Sequence, residues 1–176
     1  MIPFAAMVKQ EAEIFIQAPP QAVFDYITDW RNTPRYERFI SRIEGVEGQD
    51  ASGRERRAHS HFKLFGLKSK VLYRYWSDSP SRYGGAQVGG LLRTGFWFTL
   101  VGEAGGTRVV HGEFMTSRWK LLERLAVTIF WKVLFPDDIS RQLSKLKEQL
   151  EGVSYTRAPA ASKGRWARLA GRSLLD

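Results

Sequence analysis

Ala18-Pro19-Pro20-Gln21-Ala22-Val23-Phe24-Asp25-Tyr26-Ile27 is the hinge between two kinds of text in this chain. Before it, Val8 to Gln17 alternates: Ala12, Ile14 and Ile16 fall on one face, and Glu11, Glu13 and Phe15 on the other. That period of two reads as a half-buried strand. Ala18-Pro19-Pro20 stops the strand, because proline has no N–H to give a ladder, and Pro20 suits the first turn of a helix. Val23, Phe24 and Ile27 then recur at helical spacing and predict a short helix over about 20–28. Asp29 to Thr33 reads as a turn, and Pro34 opens a second short helix through Phe39.

From Ile40 to Ser117 the sequence is strand-like and cut by glycines into short pieces rich in β-branched and aromatic residues. Val71-Leu72-Tyr73-Arg74-Tyr75-Trp76, Phe96-Trp97-Phe98-Thr99-Leu100-Val101 and Thr107-Arg108-Val109-Val110 are examples. The glycine pairs at 84–85, 89–90 and 105–106 do not match a phosphate-cradling loop and read as hairpin turns. Short connections imply an antiparallel meander, so this region and the first strand predict about seven strands. Lys120 to Leu150 reads as helix, broken near Pro136. Its second half carries Ile139, Leu143, Leu146 and Leu150 as one apolar stripe. Its first half, with Leu121, Leu122, Leu125, Ile129, Phe130, Trp131 and Leu134, is apolar nearly all round. Such a helix is buried, or faces a lipid, a ligand or a second subunit.

Composition excludes whole classes of chemistry. A chain of 176 residues without cysteine has no disulfide, thiolate nucleophile, zinc–thiolate site or iron–sulfur cluster. The formal charge of +9 favours acidic partners. The densest apolar stretch, Leu121 to Phe135, falls short of the roughly 18 residues a membrane span needs and contains Glu123, Arg124 and Lys132. The N-terminal residues lack the basic and long apolar regions of a secretory signal, so the expected location is cytoplasmic, with the inner face of a membrane as a peripheral site. After Gly152 the composition turns to Ala, Arg, Ser and Pro, which divides the chain into a domain, 1–151, and a basic tail, 152–176. In the tail Trp166, Leu169 and Leu174 share one helical face while Arg165, Arg168 and Arg172 share another. Its three readings are a disordered terminus, a membrane-surface helix in which Trp166 enters the interface and the arginines meet anionic headgroups, and a nucleic-acid contact. The last is the least supported, since the body carries no DNA- or RNA-reading motif.

The element order gives an α+β class: one curved antiparallel sheet, two short helices after strand 1, and a long C-terminal helix as the only element able to cover the apolar face. A curved sheet gripped by helices commonly leaves a cavity, and an apolar cavity with few polar groups is a ligand site by default. Residues 8–151 resemble the START/SRPBCC helix-grip superfamily, in particular its polyketide cyclase/dehydrase and coenzyme-Q-binding branches. The resemblance is carried by Ala18 to Ile27, by Asp29 with Pro34, by Gly105-Gly106-Thr107-Arg108 through Glu113-Phe114, and by the closing Leu143 to Glu151. It implies that Ser69, Val71, Tyr73, Tyr75, Thr94, Phe96, Phe98, Val109, His111 and Glu113 point into the cavity. By polarity Ala58, Ser60, Phe62 and Leu64 look inward on the third strand, leaving Arg57, His59, His61 and Lys63 outside.

His111 and Glu113 stand two apart on one strand face, roughly 7 Å at their roots, so both reach one ligand. They are the candidate catalytic acid–base pair, or else an anchor for a carbonyl or phenol. Tyr73, Tyr75, Thr94, Phe96 and Phe98, with His111, are the candidate ligand-binding residues. Characterised aromatase/cyclases of the resembling branch place an aromatic before the proline and guanidinium groups in the cavity wall. Here Thr33 precedes Pro34, and the equivalent wall positions are Tyr75 and Val88. These departures count against that chemistry. His59-x-His61 has a spacing that can hold a metal, but a solvated strand edge fits it better, and no metal or other cofactor is expected. The leading expectation is a protein that binds or transfers a small hydrophobic ligand: a lipid, an isoprenoid quinone or a polyketide-like molecule. The rival is a cyclase/dehydratase of the lyase type using His111 with Glu113. A third reading, a pure interaction module, predicts an interior filled by its own side chains. An anionic membrane surface and a second copy of the chain complete the candidate partners.

Overall fold

The computed structural model describes residues 8–46, 55–117, 119–129, 133 and 136–152. The tail residues Arg165, Trp166, Arg168 and Arg172 lie outside the described residues. Among the described residues seven strands form one antiparallel sheet: β1 (Val8–Ile16), β2 (Ile40–Gly45), β3 (Glu55–Leu64), β4 (Leu67–Asp78), β5 (Arg82–Gln87), β6 (Leu92–Glu103) and β7 (Gly106–Ser117). Their order is β1-β7-β6-β5-β4-β3-β2, so the first strand closes against the last and the rest follow as a meander. Helices α1 (Pro20–Thr28), α2 (Thr33–Tyr36), α3 (Lys120–Val127) and α4 (Asp138–Glu151) complete the helix-grip architecture.

Each element follows from its local sequence. In β1, Ile14 and Ile16 are buried while Glu11 and Glu13 are exposed, as the alternation requires. In α1, Val23, Phe24 and Ile27 close one end of the sheet. Pro136 separates α3 from α4, and Gly152 ends α4 with φ 67°, the left-handed cap that suits glycine. Ile139, Leu143 and Leu146 of α4 join the core formed by the concave face. The end of α4 is tied to the end of β1: the Gln17 N–H donates to Glu151 Oε1 at 2.6 Å and Lys147 Nζ to the Phe15 carbonyl at 2.7 Å.

Two expectations are corrected. The second helix stops at Tyr36 rather than Phe39. The Phe39 carbonyl is drawn to the sheet edge instead, where it accepts the Lys63 N–H at 2.8 Å. Gly84 and Gly85 are not a turn but the middle of β5. A β-carbon on Gly84 would land inside the Trp76 ring, and one on Gly85 would meet Phe96 and Tyr75. Gly112 lies under Trp97 in the same way. Large rings thus lie over missing side chains on neighbouring strands, a device that keeps glycine-bearing strands packed while the sheet curves. The 89–90 and 105–106 pairs do turn, with Gly89, Gly90 and Gly105 all at positive φ.

Candidate functional site: a cavity between the sheet and α4

The concave face and the helices enclose a cavity of about 420 Å³. The interior is therefore not filled by its own side chains, against the expectation for a pure interaction module. Tyr73, Tyr75, Thr94, Phe96, Phe98, His111 and Glu113 all line it, as do Ser60, Phe62, Leu64, Ser69 and Val71. Ala58 and Val109 point inward as expected but sit in the solid core. Val88 is not a wall residue: it lies half-exposed just beyond β5, where the chain turns toward β6. His59 and His61 lie on the other face, where His61 Nε2 is 2.7 Å from Glu44 Oε2, an edge-strand pair with Arg42 and Lys70 close by. Among the described residues no three His, Cys, Asp or Glu side chains are grouped to hold a metal.

Nine of the described lining residues are Tyr or Phe, and the hydroxyls of Tyr73, Tyr75 and Tyr83 are already partnered. Tyr75 Oη pairs with Ser60 Oγ at 2.6 Å, Tyr73 Oη with Thr94 Oγ1, and the Trp30 indole N–H donates to Tyr83 Oη at 3.2 Å. Burial pushes the Tyr75 phenol up to about 12 and that of Tyr73 further still, so both remain protonated. Phe98 stacks on the His111 ring with centroids 4.0 Å apart and planes 8° apart.

The ionisable groups of the wall gather beneath the first turns of α4. His111 is 2% exposed, with Nδ1 3.0 Å from the Trp97 carbonyl and Nε2 2.9 Å from Gln142 Oε1. Gln142 Nε2 donates to Glu113 Oε1 at 3.0 Å and to Asp138 Oδ2 at 3.2 Å. Asp138 Oδ1 stands 2.9 Å from Arg38 Nε, an ion pair out of line for a hydrogen bond. Glu37, also buried, receives the Phe39 N–H at 3.1 Å and lines the same space. Burial pulls the His111 pKa down to about 4, against the opposing pull of its hydrogen bonds to Trp97 and Gln142. Burial pushes Glu113 up to about 7, with the Asp138 charge adding to the rise and the Gln142 bond opposing it. Glu37 is raised well above the usual carboxylate range, first by burial and then by Glu113.

These values make Glu113, not His111, the group able to exchange a proton near neutral pH. The imidazole has a carbonyl oxygen at each nitrogen and a proton for only one when neutral. Glu113 Oε1 is 3.8 Å from His111 Nε2, beyond hydrogen-bond reach, so one of the two nitrogen–oxygen contacts of the neutral ring carries no hydrogen. Strand alternation pairs His111 with Glu113 but gives no hint of Gln142, Asp138, Glu37 or Arg38 beside them. A signal for two of these exists: Asp138 and Gln142 are four apart and each adjoins a residue of the apolar stripe, Ile139 and Leu143.

Residues 7–151 match the sequence family described as polyketide cyclase / dehydrase and lipid transport. The chain belongs to this family. Its members bind small hydrophobic ligands in general. The fold is shared with TTHA0849 from Thermus thermophilus, at 21% identity and TM-score 0.65 over 84% of this chain and 100% of that one. It is shared as well with the Zhui aromatase/cyclase from Streptomyces sp. R1128, at 12% identity and TM-score 0.64 over 94% and 98% of the two chains. A START superfamily protein from Mycobacterium smegmatis aligns at 11% identity and TM-score 0.60 over 84% and 99%. No curated protein sequence matches the chain significantly. At such identities the likeness is one of fold, and a shared fold leaves the chemistry to the site.

Proposed function

We propose that the protein binds a small hydrophobic ligand in the cavity and exchanges it at an anionic membrane surface. The observation that carries this reading is the cavity itself: a chamber of about 420 Å³ rich in aromatic side chains, with its ionisable groups gathered beneath the start of α4. The apolar body of a lipid-, quinone- or polyketide-like molecule would lie against Phe96, Phe98, Tyr73 and Tyr75. Its polar end would meet Thr94, His111, Glu113 and Gln142.

The exchange route follows from the end of the sheet where the cavity lining reaches Leu64, Ser69 and Leu92. Phe65 and Leu67 at the β3–β4 tip are 75% and 78% exposed, and Val88 and Leu91 at the β5–β6 turn are about half exposed. Leu121, Leu125, Ile129 and Val133 recur every four residues and are exposed as well. Apolar surface gathered at one end marks an interaction site. Lys63 and Lys68 face each other in register beside the Phe65 tip, which suits anionic headgroups. No described helix is long and apolar enough to cross a membrane, so the contact would be peripheral.

Native mass spectrometry of the freshly purified protein, with solvent extraction, tests the binding reading. A reproducible co-purified hydrophobic molecule, lost in a cavity-filling Thr94→Trp variant, is expected. A protein that carries nothing and takes up no neutral apolar dye overturns it. Deleting residues 153–176 tests the tail: vesicle flotation should fall while the unfolding midpoint holds, and unchanged flotation removes the tail from the contact.

A cyclase/dehydratase reading has one observation in its favour, a Glu113 carboxyl poised near neutral pH beside an apolar chamber. In that case Glu113 would move the proton and His111 would position it through Gln142. Turnover of a poly-β-ketone that vanishes in Glu113→Gln would establish it; absence of turnover leaves the carrier.

A further inference from the structure

The ionisable residues that line the cavity are of the opposite kind to those that dominate the chain. The protein carries +9, yet none of the described residues lining the cavity is Lys or Arg. Three carboxyls line it instead: Glu37 after α2, Glu113 on β7 and Asp138 at the start of α4. Arg38 is the cation beside them, and it is engaged with Asp138. His111, buried and neutral, adds no positive charge. Asp138 is 5% exposed, and its Oδ1 is held 2.9 Å from Arg38 Nε by charge, with no hydrogen bond in line. That oxygen keeps a lone pair for a further donor.

Around these carboxyls stand electron-rich ring faces. Tyr36, Tyr73, Tyr75, Tyr83, Phe96 and Phe98 line the same chamber and pack on one another with centroids about 6 Å apart. Aromatic faces with a carboxylate at one side recognise an ammonium group, through the ring quadrupole and through charge-assisted hydrogen bonds. A carboxylate, a phosphate or an enolate would find no Lys or Arg among the described lining residues to pair with, and its charge would hold Glu37 and Glu113 protonated.

We propose that the ligand of this cavity is a hydrophobic amine, its protonated nitrogen seated among the Glu37, Glu113 and Asp138 carboxyls and its apolar body against the tyrosine and phenylalanine rings. The inference rests on the binding reading above and names the ligand class for it. An arriving cation favours the ionised carboxyls, so uptake releases protons near neutral pH, where Glu113 titrates in view of Glu37, Asp138, Arg38 and His111.

The test is a charge series on one skeleton. 4-Phenylbutylamine, 4-phenylbutanol and 4-phenylbutanoate are titrated into the full-length protein by calorimetry at pH 8 and pH 6. At pH 8 the amine should bind at least about tenfold more tightly than the alcohol, and the carboxylate most weakly. The amine's advantage should shrink at pH 6, and heats in buffers of different ionisation enthalpy should report proton release. Glu113→Gln should weaken the amine about tenfold and leave the alcohol within about twofold, which separates charge recognition from damage to the fold. Equal binding of amine and alcohol, or tighter binding of the carboxylate, overturns the amine inference while leaving a hydrophobic cavity intact. If none of the three binds, the binding reading falls and the inference with it.

Discussion

Gln142 on α4 bridges Glu113 and His111 on β7, its Oε1 2.9 Å from His111 Nε2 and its Nε2 3.0 Å from Glu113 Oε1. One amide therefore holds the helix to the sheet, orients the imidazole and offsets part of the rise in proton affinity that burial gives the carboxyl. Its second amide hydrogen serves Asp138 at 3.2 Å, so the contact also fixes the start of the helix. The site and the fold share this residue.

Replacing that amide by an apolar side chain of similar size isolates its contribution. Gln142→Leu leaves His111 Nε2 and two carboxyls without their partner inside a low-dielectric space. It should lower stability by about 1–3 kcal/mol in urea unfolding. It should also raise the Glu113 pKa, because the Gln142 hydrogen bond is what holds it down. A variant as stable as the parent would mean that water replaces the amide without loss.

The pH dependence of stability follows from opposed shifts. The Glu113 carboxyl, raised from 4.5 to about 7 when folded, holds its proton longer in the native state, so its contribution falls as pH rises through that window. His111, lowered from 6.5 to about 4, contributes stability that is present above pH 6.5 and lost as pH falls toward 4. The two oppose each other between about pH 4.5 and 6.5. Glu113→Gln leaves the histidine slope alone: the variant should gain on the parent between pH 5 and pH 8, by at most about 3 kcal/mol. The 21% exposure of Glu113 makes the observed gain smaller than that ceiling. Guanidine titrations at the two pH values measure it, and parallel curves for parent and variant would refute the assignment.

Phe65 occupies a backbone position that its side chain disfavours. It sits at φ 49° before Gly66 at φ 83°, in a two-residue hairpin between paired Leu64 and Leu67. Asn-Gly is the preferred pair for such a turn. Phe65→Asn should therefore stabilise the domain by about 0.5–1 kcal/mol, while reducing association with anionic vesicles. Thermal unfolding and vesicle flotation give the two readouts. A loss of stability would show that the ring contributes to folding, and unchanged flotation would take the tip out of the membrane contact.

The fold is largely legible in the chain because each of its signals is local. Alternation in Val8 to Gln17, the proline stop before α1, the glycine-cut aromatic strands and the stripe Ile139, Leu143, Leu146 each report one element's buried face through its own period. Gly84 and Gly85 mislead for the complementary reason. A glycine looks like a turn until the ring that covers it is known, and Trp76 belongs to another strand. The end of α2 at Tyr36 is equally invisible, since Phe39 answers to β3 rather than to its own helix.

The amino-acid sequence by itself determined the α+β class, about seven strands with their alternating faces, the break at Pro136, and the presence of His111 and Glu113 on one face. Period and side-chain chemistry suffice for those, because neighbours along the chain decide them. Only the tertiary structure decided that Glu37, Asp138 and Gln142 converge on that pair, that the imidazole is buried and neutral, and that the cavity of a basic protein is acidic. Those properties depend on burial and on groups far apart in the chain, as the 29-residue separation of Gln142 and Glu113 illustrates. Proton affinity is set by desolvation and by through-space charge, and neither is written in any local stretch of the chain.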